Sequence, residues 1–382
     1  MIYKTKGVAL VAGLLAILAM GVASAPQNAF AQTGVCQAMP PTQQMALTRP
    51  IPLGISGGNN RSIIKDKKGR LKGCFSGTLG SMVQDSSNNE FILSNNHVLA
   101  DQNTAKPGDP IVQPGLIDVQ CVRSQSNTVA TFSSAIKLRF GGHKNFVDAA
   151  IAAIQPGDVS PQILFIGDIS STVVSSPASG MSVQKMGRTS CLTTGVVAAL
   201  DANVTINYSD TKKPHLASFV NQILVTGNGK TPTFSAAGDS GSLIVTQDDC
   251  PLPVALLFAG SSNGAITIAN PISAVLSRLN VSMVGTCGGT VTSAPDADVL
   301  APNIGMSEEV VASAKAVRDR HEDQLMTIPG AVGSGIAAGD QPGQPAIQVY
   351  VQKLTPEAKA ATPKDVEGTP VTLIESGELV AY

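Results

Sequence analysis

The 382-residue sequence has no tryptophan and only 4% aromatic residues, and 14% of it is charged. Typical globular chains carry about 25% charge, so solvated faces are few, and a long coiled coil or a charged disordered chain is excluded. Basic and acidic residues nearly cancel (26 and 27), which leaves no global attraction for nucleic acid or an anionic membrane. Beyond the N-terminal segment no stretch is apolar and long enough to span a bilayer. There is no Cys-x-x-Cys spacing and no His near a Cys, which argues against a zinc site; no metal or cofactor is expected. What is abundant is glycine (37) and proline (24), the two poorest helix formers. The length suggests roughly two domains.

Residues 1–31 read as an export signal. Lys4 and Lys6 precede an uncharged, mostly apolar run from Gly7 to Ala23, and two small-x-small sites follow. Ala29-Phe30-Ala31 is the better cleavage site, because Ala23-Ser24-Ala25 is followed by Pro26. The alternative is an uncleaved membrane anchor. Six cysteines follow (Cys36, Cys74, Cys121, Cys191, Cys250, Cys287), an even number that suggests disulfides in an exported chain without choosing among 15 pairings. A secreted or periplasmic location is therefore expected.

The chain divides by composition. Residues 288–382 hold 13 acidic and 6 basic residues, net -7, and seven of the eight glutamates; Glu90 is the only one earlier. The part before residue 288, without Lys4 and Lys6, carries +4. Glutamate favours helices over strands, so a β-rich front and a partly helical tail are expected. Short apolar runs at Phe91–Leu93, Val129–Phe132, Ile151–Ile154, Gln222–Val225 and Leu243–Val245, separated by turn residues, point to a sandwich or barrel. In the tail, Ser307 can cap a helix with Glu308 and Glu309 in its first turn. Its stripe runs Val310, Ala314, Val317, His321, Leu325, which makes His321 a core residue rather than a ligand. A strand at 347–351, a short helix after Thr355 and a strand at 371–374 follow.

Three segments can carry chemistry. In Phe91-Ile92-Leu93-Ser94-Asn95-Asn96-His97, an apolar strand ends in a histidine able to face a cleft; alone, it reads more readily as a structural histidine. In Asn145-Phe146-Val147-Asp148-Ala149-Ala150-Ile151, a carboxylate among apolar residues needs a partner, and orienting an imidazole is one such use. Asp118 competes for that role from a more turn-like setting. In Phe234-Ser235-Ala236-Ala237-Gly238-Asp239-Ser240-Gly241, a serine between glycines precedes an apolar strand. Its N–H and that of Gly238 can converge on one point, as an oxyanion hole requires.

Taken together, these segments resemble the chymotrypsin/trypsin-like serine peptidases of bacterial exported type, whose catalytic order is His, Asp, Ser. Gly77-Thr78-Leu79-Gly80 resembles the strand leading to the family's catalytic His. Gly187-Arg188-Thr189-Ser190 with Gly195 resembles the G-R-T-T-G segment of bacterial members, and Leu256–Ser261 the strand lining the specificity pocket. The resemblance spans residues 52–285. It implies a mainly β fold, two antiparallel six-stranded barrels with the site between them, followed here by a small C-terminal α+β domain. Carried over by position, His97 is the general base, Asp148 orients it, Ser240 is the nucleophile, and the Gly238 and Ser240 amides bind the oxyanion. Phe258, Ala259 and Gly260 line the substrate strand. The family's Cys after the catalytic His is replaced by Val98, and no Ile-Val-Gly-Gly start follows a basic site, which does not fit trypsinogen-style activation. Bacterial relatives use a basic residue in place of that new amino terminus, so Lys185 is expected to pair with Asp239. Phe234 stands where trypsins carry an Asp, so a small or apolar side chain is favoured over Arg or Lys.

These readings divide the chain into a signal (1–31), an N-terminal extension (32–54), a peptidase domain (55–287), a linker (288–303) and an acidic α+β domain (304–382). The tail segments Ile328–Gly333, Val349–Val351 and Gly368–Val371 resemble a small module found beside such peptidases. The expected function is an exported serine endopeptidase acting on protein or peptide substrates; the alternative is an inactive scaffold that keeps the barrels. The opposite charges suggest that the tail docks on the catalytic part through an attraction that fades with salt.

Overall fold

The computed structural model describes residues 42–209, 213–229, 233–288 and 306–382. The expected signal, the first part of the extension and all but the first residue of the expected linker lie outside the described residues.

Alternating small apolar residues punctuated by turns build two closed antiparallel barrels. The first runs Ile55–Asn59, then Gly77–Leu79 continuing as Ser81–Gln84, Glu90–Ser94, Ala150–Ile154, Asn127–Ala135 and Pro110–Gln113, which pairs back to Ile55–Asn59. The second runs Ser182–Gly187, Cys191–Asn207, Leu216–Gly227, Thr267–Pro271, Pro253–Ser261 and Leu243–Thr246, which closes on Ser182–Gly187. Each is six-stranded and encloses its own apolar cluster, around Leu79, Ile92 and Ile151 in the first and Val183, Val225 and Leu257 in the second. The fold is thus mainly β: two antiparallel six-stranded barrels and a small C-terminal α+β unit. The strand Ile51–Leu53 is already packed, pairing with Val159–Ile163, with Ile51 and Leu53 fully buried. Cys74–Cys121 and Cys250–Cys287 are disulfides, and Cys191 is disulfide-bonded as well. Among the described residues no helix is long and apolar enough to cross a membrane.

The C-terminal unit has a helix, Glu308–Leu325, capped by Ser307 Oγ accepting from the Val310 N–H at 3.3 Å. Strands Ala331–Ala338, Pro345–Val351 and Thr369–Glu375, with the helix Pro356–Ala361, follow. The Ala331–Ala338 strand adds to the edge of the second barrel, with Ala337 opposite Ala199 and Gly333 opposite Val204. The helix turns a slightly different face inward than the expected stripe. Ala314, Val317 and Leu325 are buried, but Arg318 is the large buried residue, donating to Ser334. His321 stays partly exposed and bonds Glu367 and Gln324. An arginine whose guanidinium reaches a strand carbonyl and Glu322 can be buried where an uncompensated imidazole gains nothing. A final strand, Leu379–Ala381, leaves this unit and pairs antiparallel with Pro253–Ser261.

Candidate active site

His97 is placed by the end of the Glu90–Ser94 strand. The chain leaves it through Asn95, whose extended backbone starts a single helical turn, Asn96–Leu99. Ala150 lies opposite Ser94 in the ladder, so continuing past that pair brings Asp148 beside the turn. His97 Nδ1 lies 2.6 Å from Asp148 Oδ2, and the His97 amide donates to Oδ1 at 3.3 Å. Asp148 is fully buried, and such a carboxylate requires donors. Besides His97, the Tyr208 hydroxyl donates to Oδ2 at 2.6 Å. Asn95 and Asn270 hold the Asp148 backbone, Asn95 Nδ2 donating to its carbonyl at 2.7 Å and Asn270 Oδ1 accepting from its N–H at 3.1 Å.

Burial works against a charged His97, but the Asp148 charge and hydrogen bond, helped by the Tyr382 carbonyl, outweigh it and raise the imidazole pKa. Burial and the same carboxylate push Tyr208 well above its usual value, so its phenol stays protonated as a donor. Tyr208 also meets the His97 ring edge-on, with centroids 5.8 Å apart.

Ser240 comes from the second barrel. Its turn is pinned to the first: the Thr78 N–H donates to the Ser240 carbonyl at 2.8 Å, and Thr78 Oγ1 to the Gly238 carbonyl at 3.0 Å. Gly238 has φ +101°, a backbone that glycine adopts without strain. The Gly238 and Ser240 amides donate to no other group among the described residues. Ser240 Oγ is fully buried and donates to the Phe258 carbonyl at 3.0 Å. His97 Nε2 is bonded at 2.8 Å not by Ser240 but by the carbonyl oxygen of Tyr382. The structure therefore brings His97 and Asp148 into direct contact, while Ser240 Oγ and His97 Nε2 bond different carbonyls, those of Phe258 and Tyr382.

Lys185 and Asp239 are both fully buried, with Nζ 3.3 Å from Oδ2. Ser190 Oγ links them, accepting from Lys185 and donating to Asp239. Asp239 also takes the amides of Thr189 (2.8 Å), Ser190 (3.1 Å) and Ala236 (2.9 Å). Burial lowers the Lys185 pKa, and Asp239 partly offsets this. Asp118 lies elsewhere, bonded by Ser56 and by the Arg188 guanidinium. Phe234 is buried in the second-barrel cluster, and its carbonyl accepts from Thr193 Oγ1 at 2.7 Å. The Phe258 ring points away into an apolar cluster, 4.6 Å from the Phe219 ring, so only its carbonyl serves the cleft. A cavity of about 440 Å³ between the second barrel and the C-terminal helix, lined by Leu200, Ile223 and Val311, contains none of these residues.

Sequence reasoning misses Tyr208 and Tyr382. Neither lies in a motif; their only signal is scarcity, since the chain has four tyrosines.

The comparisons with known proteins assign no family to the chain. The Nal1_C model, the Nal1 C-terminal domain, matches residues 157–273. No curated protein matches the chain. Protease A of Thermobifida fusca is 16% identical, with 60% of this chain and 98% of that one covered and a TM-score of 0.38. A glutamic acid-specific serine protease that uses a histidine triad in substrate binding is 17% identical, covering 61% and 100%, at 0.40. Cellulomonas bogoriensis chymotrypsin is 15% identical, covering 60% and 98%, at 0.36.

Proposed function

We propose that this chain is an exported serine endopeptidase that hydrolyses peptide bonds through an acyl-enzyme on Ser240. The reading is carried by one observation: a histidine held at 2.6 Å by a fully buried carboxylate, next to a glycine-flanked serine turn. In this mechanism Ser240 Oγ attacks a substrate carbonyl carbon while His97 Nε2 accepts its proton. Asp148 keeps Nδ1 protonated and stabilises the imidazolium, and the Tyr208 hydroxyl shares the carboxylate charge. The Gly238 and Ser240 amides receive the negative charge that develops on the substrate oxygen. The tetrahedral intermediate collapses, the amine leaves with the proton from His97, and water repeats the sequence to free Ser240. Lys185 supports the turn through Asp239 and Ser190. Phe234 offers no counterion to a charged substrate side chain.

The alternative, a non-catalytic scaffold, is favoured by Ser240 Oγ donating to Phe258 instead of His97. A fluorophosphonate probe separates the two: labelling at Ser240 that disappears in Ser240→Ala supports the enzyme, and labelling that survives the substitution sinks it. A casein digest run alongside distinguishes a peptidase from an esterase.

A further inference from the structure

We propose, resting on the peptidase reading, that Leu379–Tyr382 fills the acyl side of the cleft as a tethered peptide, and that the space beside Gly260 is a subsite for an aromatic side chain. The main chain carries the first part of the argument. Ala259 faces Ala381, Gly260 faces Val380 and Ser261 faces Leu379 in an antiparallel ladder. This is how an extended peptide adds to a strand edge, with backbone bonds giving affinity and side-chain pockets giving selectivity. The ladder ends with the Tyr382 N–H donating to the Phe258 carbonyl at 3.3 Å, the carbonyl that also accepts from Ser240 Oγ. The Tyr382 backbone thus shares the Phe258 carbonyl with Ser240 Oγ, and its own carbonyl oxygen accepts from His97 Nε2. That carbonyl belongs to the residue whose C–N bond a substrate would offer for cleavage.

The side chain carries the second part. The Tyr382 hydroxyl donates to the Ser261 carbonyl at 3.1 Å, and the ring packs on the cluster that contains Phe234, Val183 and Val197. Burial pushes the phenol up to about 12, so it enters neutral and needs no counterion. Gly260 makes the room: a Cβ there would lie 2.1 Å from the Tyr382 hydroxyl oxygen and 2.2 Å from the ring carbon bearing it. A glycine at this wall admits a flat ring that any larger residue would exclude.

The tether is firm. The Ser262 N–H donates to the Glu378 carbonyl at 2.8 Å, Asn207 Nδ2 donates to Glu378 Oε1 at 2.7 Å, and Leu379 is buried beside Phe258 and Tyr350. A tethered peptide competes at an effective concentration on the order of millimolar, so the seated segment suppresses entry of substrate.

The test compares the full chain with Val380→Pro, which breaks the ladder, and Tyr382→Ala, which empties the pocket. Circular dichroism checks that both fold. Fluorophosphonate labelling of either variant should be roughly tenfold faster or more than that of the full chain. The released variants should cleave Leu-Val-Ala-Tyr p-nitroanilide ahead of its Ala, Lys and Glu analogues. Gly260→Val added to Val380→Pro should lower cleavage of the Tyr substrate at least about tenfold more than that of the Ala substrate. A fluorescein-labelled Leu-Val-Ala-Tyr peptide, followed by anisotropy, should bind the Val380→Pro chain and be excluded from the full chain, which reads the site without catalysis. Equal labelling together with equal peptide binding in all chains overturns the docking. Preference for Lys, Arg or Glu overturns the aromatic subsite. Labelling absent everywhere, with peptide binding only after release, sinks the peptidase reading and leaves the docking standing.

Discussion

Removing the Lys185 ammonium tests how the Ser240 turn is held. Lys185 reaches Asp239 at 3.3 Å, Ser190 Oγ, and the Cys191 carbonyl at 3.0 Å, with no water-exposed surface on either charged partner. Breaking a buried ion pair by deleting one member costs about 3–5 kcal/mol, because the other charge is left uncompensated. Asp239 keeps three amide donors and the Ser190 hydroxyl, which places Lys185→Ala near 3 kcal/mol, at the lower end of about 3–5 kcal/mol. With about 2–4 °C per kcal/mol, the melting temperature should fall by roughly 6–12 °C. Asp239 immediately precedes Ser240 and also accepts from Ala236, closing the turn that presents the Gly238 and Ser240 amides. The rate of fluorophosphonate labelling should therefore fall along with stability. Lys185→Met with Asp239→Asn removes both charges and should regain much of the stability, since a neutral pair carries no buried ion. Denaturant unfolding and labelling rate, measured on all three chains, decide the matter. If Lys185→Ala leaves both unchanged, the pair does not hold the turn.

The remaining predictions concern the carboxylate, the imidazole and a disulfide. Tyr208→Phe removes one of two donors to Asp148 Oδ2; turnover by a released variant should drop about tenfold, in the range of one charge-assisted hydrogen bond, with folding retained. Asp148→Asn should lower kcat by about 10⁴-fold by favouring the wrong tautomer of His97, and a smaller loss than that from Tyr208→Phe would contradict the assigned roles. The His97 pKa is raised above its ordinary 6.5, so its contribution to stability is whole below 6.5 and is lost as pH rises through the folded value. The ring faces the Asp148 carboxylate, the Tyr208 phenol and the Tyr382 carbonyl, and only the doubly protonated imidazole donates to both Asp148 and Tyr382. Hydrogen exchange at 379–382, corrected for intrinsic rates, should accelerate across that rise; a flat profile would refute the linkage. Cys250→Ser with Cys287→Ser opens a loop of sequence separation 37 and should cost about 3–4 kcal/mol of unfolding free energy.

Much of the barrel architecture is legible because it depends on local pattern. Short apolar runs set strands, glycines and prolines set turns, and the register of two such strands alone carries Asp148 to His97. The neighbourhoods of His97, Asp148 and Ser240 can be read from contiguous motifs for the same reason. Tyr208 and Tyr382 cannot. Tyr208 is one of many alternating positions in the strand Cys191–Asn207 and the residues that follow it, and its meaning arises only when the second barrel closes against Asp148. Tyr382 meets His97 across 285 positions of sequence, and nothing local distinguishes the final Leu-Val-Ala-Tyr from any edge strand. Arg318 shows the same limit at smaller scale. The apolar stripe around it is visible, but the acceptors that permit its burial, Ser334 and Glu322, are supplied by the partner strand and the helix together.

The charge imbalance between the two parts of the chain suggests that attraction holds the tail, yet the contacts give that role to uncharged groups. Among the described residues the ion pairs of the tail close within it: Lys315 with Asp319 at 2.6 Å, Arg318 with Glu322 at 3.2 Å, Arg320 with Glu367. What joins it to the second barrel includes the ladder at Ala199–Val204, the ladder at Ala259–Ser261, the Asn207–Glu378 hydrogen bond at 2.7 Å, and the packing of Tyr350 and Leu379 with Phe258. Charges farther apart than about 8 Å are screened at 0.15 M salt, whereas paired amides and carbonyls carry no net charge to screen. Labelling of Ser240 in the full chain should therefore change by no more than about fivefold from low to molar salt, since an exposed ion pair contributes about 0–1 kcal/mol. Val380→Pro should release it at every salt concentration. If molar salt alone brings the full chain to the Val380→Pro rate, long-range charge holds the tail and the ladder is incidental.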